Sequence, residues 1–354
     1  MLRLLVVFAG GSAALLLLLA ALDPWGAVGL PFSLPHRPAD RSQRWAYPEL
    51  ARDPRFDAVI IGNSSARLLD PAALDPALGA RFANLAMLNA QAWEQARLLD
   101  VFIAAHPSPR AVLIGLDRLW CGRGDDFAHF GYDPIPEWLY SGGRLDAVRN
   151  LLNLHAIETA WRSLSATLGL APPPYGENGY ALIDVDLHPY DPARAKALVE
   201  SDLARLPWPD PPSPDPASWR YGALEWLAQR LDALPAGTRK LLVFVPQHHL
   251  FPAPNSPGAA MMEECKRRVV AMARLRPNAE VFDAAIPSPV TLEEDRWWDA
   301  VHARPDTMAR VSAALARAAR GEETEDVRIL TRATGPARSA WIALPGQAES
   351  PGRE

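Results

Sequence analysis

The stretch Asp57-Ala58-Val59-Ile60-Ile61-Gly62-Asn63-Ser64-Ser65-Ala66 decides how the rest of the chain is read. A short β-branched run closed by glycine is the pattern of a strand buried on both faces, as in a parallel sheet. Working outward, Asp70-Pro71 supplies a helix cap and first position, and Gly79 the stop. Phe82 to Met87 then reads as a second strand, Ala90 to Ala105 as a helix closed by His106-Pro107, and Ala111 to Gly115 as a third strand. Past a long interruption, Lys240 to Val245 resumes the buried-strand pattern. It is followed by a helix over Met261–Leu275, a short strand over Glu280–Asp283 and a closing helix over Asp306–Ala319. The order β-α-β-α-β, insertion, β-α-β-α predicts an α/β fold of three layers, a flavodoxin-like parallel sheet with helices on both faces. Ligands of such sheets bind beyond the carboxyl ends of the strands. The residues just after Ile61, Met87, Ile114 and Val245 are therefore the ones to search.

On this pattern the chain divides into 1–22 apolar segment, 23–50 tether, 51–120 first part of the core, 121–236 insertion, 237–320 second part, and 321–354 tail. Proline supports the division. The chain has 35 prolines in 354 residues, about twice the usual ~5%. They gather in the tether, in Pro172-Pro173-Pro174 and in Pro207 to Pro216, and spare the predicted strands. The insertion thus reads as irregular, with helical pieces at Leu145–Leu168 and Trp219–Leu234, and the tail as loosely ordered. With 49% apolar residues and a net charge of −5, disorder is excluded as the main theme, and nucleic-acid binding has no basic patch to rest on.

Leu4 to Leu22 is apolar or small throughout apart from Ser12. At about 1.5 Å per residue these nineteen nearly match the ~30 Å of a bilayer core. The expectation is an uncleaved single-pass anchor in an inner membrane; a cleaved signal peptide competes, but Leu19-Ala20-Ala21-Leu22 matches an A-x-A site poorly. Arg3 and the amino terminus precede the span, so the remainder is expected outside the cytoplasm, in a periplasm or beyond.

At the first strand end stands Gly62-Asn63-Ser64; after the last strand stands Trp297-Trp298-Asp299-Ala300-Val301-His302. A serine on a strand-to-helix turn can be a nucleophile, a histidine on the same sheet edge its base, and an aspartate three residues before that histidine its partner. With Asn84-Leu85-Ala86 and Val112-Leu113-Ile114-Gly115-Leu116-Asp117 in between, the chain resembles the SGNH (GDSL-type) hydrolases. The likeness is closest to membrane-anchored bacterial members tied to cell-surface polysaccharide. It covers about 55–125 and 238–318. It implies Ser64 as nucleophile, His302 as general base and Asp299 as its partner, with no cofactor and no metal. The implied activity is that of an esterase or O-acyltransferase, with an acylated glycan or small acyl ester as substrate and polysaccharide-assembly proteins as partners.

The resemblance also implies an oxyanion hole built from the nucleophile's amide, a glycine amide after the second strand and an asparagine side chain after the third. Here Asn89 stands near the glycine, and Asp117 in place of the asparagine; an ionised carboxylate accepts hydrogen bonds and cannot donate them. Asp117 is then protonated, or holds another group such as Arg67 or Arg118, or leaves activity weak. A catalytically weak accessory protein is the alternative this keeps open. Gly62, Asn63 and His248 complete the candidate list. Ser65 is a second candidate nucleophile, or a helix cap. His248 and His249 follow the fourth strand, and adjacent residues in extended chain point opposite ways, which argues against joint metal ligation. His129, His188, Tyr132, Trp138, Tyr140 and Tyr190 of the insertion are read as packing or as sugar-stacking residues. Cys121 and Cys265 are left as a disulfide or two buried thiols.

Overall fold

The computed structural model describes residues 1–30, 37–122, 134–205 and 213–333. His129, Tyr132, most of the second proline tract and the tail from residue 334 lie outside the described residues. Six strands, β1 (Ala58–Ile61), β2 (Phe82–Asn84), β3 (Ala111–Leu116), β4 (Arg239–Phe244), β5 (Ala279–Asp283) and β6 (Arg328–Thr331), make one sheet in the order β2-β1-β3-β4-β5-β6. Around it run α1 (Leu2–Leu22), α2 (Gln43–Leu50), α3 (Pro71–Leu78) and α4 (Ala92–Ala105). The insertion contributes α5 (Glu137–Ser141), α6 (Arg144–Arg149), α7 (Leu154–Thr167), α8 (Pro192–Arg205) and α9 (Gly222–Ala233). The second part of the core adds α10 (Pro257–Arg274), α11 (Pro289–Leu292) and α12 (Pro305–Ala319).

Each of β1 to β5 is buried on both faces, and alternate residues feed two cores. Val59, Ile61, Val112, Ile114, Leu242 and Phe244 pack with Leu99 and Phe102 of α4 and Met261 and Val269 of α10. Ile60, Leu113, Leu241, Val243 and Phe282 pack with Leu74 of α3 and Val311 and Leu315 of α12. This is the three-layer α/β arrangement that the apolar runs predict. β1 to β5 are parallel, and the strand order places β1 beside β3, where the winding of the chain reverses and a crevice opens at the carboxyl ends. Ile61 pairs with Ile114, so β3 runs two residues farther, and Asp117 follows directly on that overhang.

Three expectations are corrected. The sheet is not wholly parallel: β6 runs antiparallel to β5, so part of the supposed tail is an edge strand. Among its described residues, the segment 23–50 is no loose tether. Asp23 ends α1 in a left-handed conformation and accepts from the amides of Ala27, Val28 and Gly29; Trp25 is buried and donates to Asp40 at 2.8 Å, and Tyr47 and Leu50 lie in the core. Single aromatic anchors between prolines leave no period, which makes the segment read as a tether. The insertion, likewise, is mostly helical among its described residues. Its Asn178 carbonyl accepts from the Asn84 amide at 2.7 Å, so it covers the β2 edge. Cys121 and Cys265 form a disulfide joining the loop after β3 to α10.

α1 is 21 residues long, and Leu4, Val6, Val7, Phe8, Leu17 and Leu18 are exposed, while Leu19 and Ala20 enter the core. Among the described residues no helix is long and apolar enough to cross a membrane.

Candidate active site

The loop after β1 turns at once into a 3-10 turn, Ser64–Ala66. Gly62 and Gly115 make that possible. A Cβ on Gly62 would collide with the Cβ of Ala66, and one on Gly115 would lie 2.7 Å from it. Ala66 therefore sinks between β1 and β3, and Ser64 is left at the rim. Asn63 caps the turn through Oδ1, which accepts from the Ser65 amide at 3.0 Å. Asn84 secures the chain beyond the turn, donating to the carbonyls of Arg67 at 2.9 Å and Leu69 at 2.8 Å.

The second half of the site is the loop 296–304. Its ends meet through Arg304 N to Arg296 O at 2.9 Å and Trp298 N to His302 O at 2.9 Å. Buried Trp297 donates to the Val290 carbonyl at 2.9 Å. Within the loop, Asp299 Oδ1 accepts from the amides of Val301 at 2.9 Å and His302 at 2.7 Å. Its Oδ2 lies 2.7 Å from His302 Nδ1, and His302 Nε2 lies 2.7 Å from Ser64 Oγ. The carboxylate thus holds the imidazole proton on Nδ1 and leaves Nε2 to accept from the serine hydroxyl. Ser65 is buried, and its hydroxyl donates to the Val301 carbonyl at 3.2 Å, so it ties the two loops together.

Burial lowers the pKa of His302. The hydrogen bond and charge of Asp299, with the charges of Asp202 and Asp186, outweigh it and raise the value above its ordinary 6.5. For Asp299 burial raises the pKa, and the bonds from His302 and the two amides bring it below normal. Asp186 and Asp202 belong to the insertion. Asp186 accepts from Trp298 Nε1 at 2.7 Å, and Asp202 accepts from the Ala300 amide at 3.4 Å. The insertion therefore braces the histidine loop and adds negative potential to it. Sequence reasoning misses both residues, because an acidic residue in a polar segment carries no signal.

The cleft, a cavity of about 360 Å³, is lined by Ser64, His302 and Asp299 together with Asn63, Asn89, Asp117, Arg118, Asp202 and Gln247, among others. Asp117 is buried. Burial raises its pKa, partly offset by bonds from the Leu119 amide and the Asn63 side chain. It does not hold Arg67, which instead donates to Tyr47 and to the Ala181 carbonyl; the nearby charge of Arg118 does act on it, lowering its pKa. It accepts from Asn63 Nδ2 at 2.5 Å. An amide nitrogen carries two protons, so Asn63 keeps a second N–H beside the nucleophile. Asn89 has a positive φ of 52° at the cleft rim. Its loop is held by α2: Gln43 accepts from the Leu88 amide at 2.7 Å. Arg44, in a buried pair with Glu94, donates to the carbonyls of Leu88 at 3.2 Å and Asn89 at 3.5 Å. The supposed tether thus positions one wall of the site.

Gly62 and His248 do not line the cleft; Gly62 acts sterically, and His248 faces the neighbouring cavity with His249. The two histidines do not point apart as extended chain would place them, since the backbone turns at 249–250. Their ring centroids lie 4.5 Å apart with the planes tilted by 34°, and with Glu294 they bring ligand-type atoms within 4.8 Å of one another. His248 Nδ1 accepts from the Leu250 amide at 3.3 Å, so its proton sits on Nε2, toward Glu294 at 3.0 Å. A metal on Nε2 would need that proton on Nδ1, facing a backbone donor. This donor set does not suit a metal. Of the insertion aromatics, Trp138 packs on Trp25 and Trp45, Tyr140 is buried, and Tyr190 packs edge-on against Trp298. His188 is exposed. Compared with known proteins, the chain matches no family model and no curated protein.

Proposed function

We propose that this chain is an SGNH-like serine esterase or O-acyltransferase acting on acyl esters of a cell-surface glycan. The observation that carries the reading is the unbroken relay Ser64–His302–Asp299, with both links at 2.7 Å. In the reaction, Ser64 Oγ attacks the ester carbonyl while His302 Nε2 takes its proton. The charge on the former carbonyl oxygen meets the Ser64 amide, which has no intrahelical partner at the head of its turn. It also meets the Asn89 backbone and the second N–H of Asn63. His302 returns the proton to the departing alcohol, leaving an acyl-serine. Water or a sugar hydroxyl, deprotonated by His302, then accepts the acyl group. Asp117 works by aiming Asn63, which answers the objection that a carboxylate cannot stabilise an oxyanion.

The same proposal puts α1 in a membrane as a single-pass anchor, with the catalytic domain in the periplasm or outside the cytoplasm. The apolar run Leu4 to Leu22 in the sequence and the exposed apolar side chains of α1 support this. So does an exposed stripe on α7, Leu154, Ile157 and Trp161, on a helix that packs against α1. The disulfide suits an oxidising compartment. A fluorophosphonate probe tests the chemistry: labelling is expected at Ser64 and is lost in Ser64→Ala and His302→Ala. Absence of labelling across pH in the folded protein sinks the enzyme reading and leaves the glycan-binding accessory role.

A further inference from the structure

A second cavity, of about 300 Å³, lies over the carboxyl ends of β4 and β5. It is walled by Phe251, Pro252, Ala259 and Met262 on one side and by Ile286 and Leu292 on the other. The charged groups beside it are occupied with one another. Lys266 pairs with Asp283 at 2.8 Å and donates to the Ala285 carbonyl at 3.1 Å, and Glu263 lies 3.3 Å from the same lysine. What this leaves toward the cavity is largely hydrocarbon. Gln247 lines both this cavity and the catalytic cleft, so the two adjoin at its side chain. Gln247 is 4% exposed, and both its amide oxygen and its amide nitrogen lack a hydrogen-bond partner. A buried amide with neither bond made is costly and rare. It stands at the neck between an apolar chamber and a serine nucleophile.

We propose that this cavity receives the acyl chain of the substrate, so that the ester cleaved or transferred carries a medium-length apolar acyl group rather than acetyl. The proposal rests on the acyl-serine reading of the cleft. With the carbonyl at Ser64, the chain runs along the sheet edge past Gln247 and into the chamber. The neck amide then finds partners: Nε2 donates to an ester oxygen, and Oε1 accepts from a hydroxyl of the alcohol. The volume stands at the small end for ligand pockets, roughly 300–1,000 Å³. At roughly 30 Å³ per water-sized group it holds at most about ten such groups, which accommodates a chain of about six to eight carbons and excludes a long lipid.

The test is a series of p-nitrophenyl esters from acetate to dodecanoate, turned over by the full chain. The expected kcat/KM rises roughly three- to fourfold per methylene up to hexanoate or octanoate and falls at dodecanoate. Ala259→Trp, on a half-buried position of α10, fills the chamber and lowers the octanoate-to-acetate ratio tenfold or more; Met262→Ala moves the optimum to a longer chain. A steady decline from acetate onward, or an unchanged ratio in Ala259→Trp, overturns the inference. Calorimetric titration of Ser64→Ala with octanoate separates this outcome from the fate of the esterase reading. Binding that Ala259→Trp removes upholds the chamber even if no ester is cleaved. No binding overturns it, even where acetate hydrolysis depends on Ser64.

Discussion

The two cavities at the carboxyl edge of the sheet are built to opposite standards. Over β1 and β3 the functional polar atoms are held by neighbours: Ser64 by His302, His302 by Asp299, Asn63 by Asp117, and the Asn89 loop by Gln43 and Arg44. Over β4 and β5, Gln247 and His249 Nδ1 are buried without partners. The first cavity makes its hydrogen bonds in advance, which is what stabilising a transition state requires. The second leaves bonds unmade, which is what a site completed by its ligand requires. On the proposed reading, one sheet edge thus divides chemistry from recognition.

The largest effect expected from breaking the preorganised side is at the relay. Ser64→Ala and His302→Ala should each lower kcat by at least about 10⁴-fold, Ser64→Ala with little change in melting temperature and His302→Ala with a lower one because it strands the Asp299 carboxylate, measured by ester turnover and calorimetry on the same samples. Retention of more than a tenth of the activity in either variant would show that the relay is not the reacting centre. Next comes the amide donor. Asn63→Ala should cost roughly 10²–10³ in kcat with KM little changed, the usual loss for one oxyanion donor. Exchanging the pair, Asn63→Asp with Asp117→Asn, puts an amide back at the same junction and should recover tenfold or more over Asn63→Ala. Failure of the exchange would leave Asn63 as a cap of the nucleophile turn only.

A smaller effect concerns pH. The acid limb of kcat/KM reports the free enzyme's base. With His302 raised above 6.5, that limb should lie above 6.5, activity increasing as the imidazole loses its proton. Asp186 and Asp202 contribute to the shift, so Asp202→Asn should move the limb toward lower pH, read from the kcat/KM profile alone. Stability runs the other way. The raised pKa of His302 stabilises the fold fully below its ordinary value, and that contribution fades as pH rises through the folded-state value. Asp299, lowered, contributes above its unfolded value and loses that contribution as pH falls through its folded one. The imidazolium–carboxylate pair is therefore strongest in the acid range, where His302 is protonated and cannot accept the Ser64 proton.

The contrast also marks what could be seen in the sequence. Apolar runs such as Val59-Ile60-Ile61 and Leu241-Leu242-Val243 announce strands because burial on both faces demands it, and Asp299-x-x-His302 announces the relay because one loop makes it. The braces are another matter. Arg44–Glu94, Asp186–Trp298 and Tyr47, whose hydroxyl donates to the Gly179 carbonyl at 2.9 Å, join segments with no shared local pattern. Only the fold brings them together. Asn63 and Asp117 both stand out in the sequence, yet their pairing depends on the register of β1 and β3, which a strand pattern does not fix. β6 escapes a sequence reading because Arg328-Ile329-Leu330-Thr331 is short and borders a charged tail.

The smallest predicted effect is the one that tests the contrast most directly. Gln247→Leu replaces an unpartnered buried amide by hydrocarbon of similar size. In a well-satisfied site such a change would destabilise the protein by leaving a partner stranded; here no partner is lost, and the desolvation cost of the amide, about 1–3 kcal/mol, is relieved. The free protein should melt a few degrees higher, since each kcal/mol is worth roughly 2–4 °C in a domain of this general size. Turnover of esters should fall in the same variant, with KM rising, because the neck no longer offers a donor and an acceptor. A matched substitution on the preorganised side, Asn63→Leu, should lower both melting temperature and kcat, since it strands the buried carboxylate of Asp117. If Gln247→Leu also destabilises, the amide has partners in the free protein, and the second cavity is no less complete than the first.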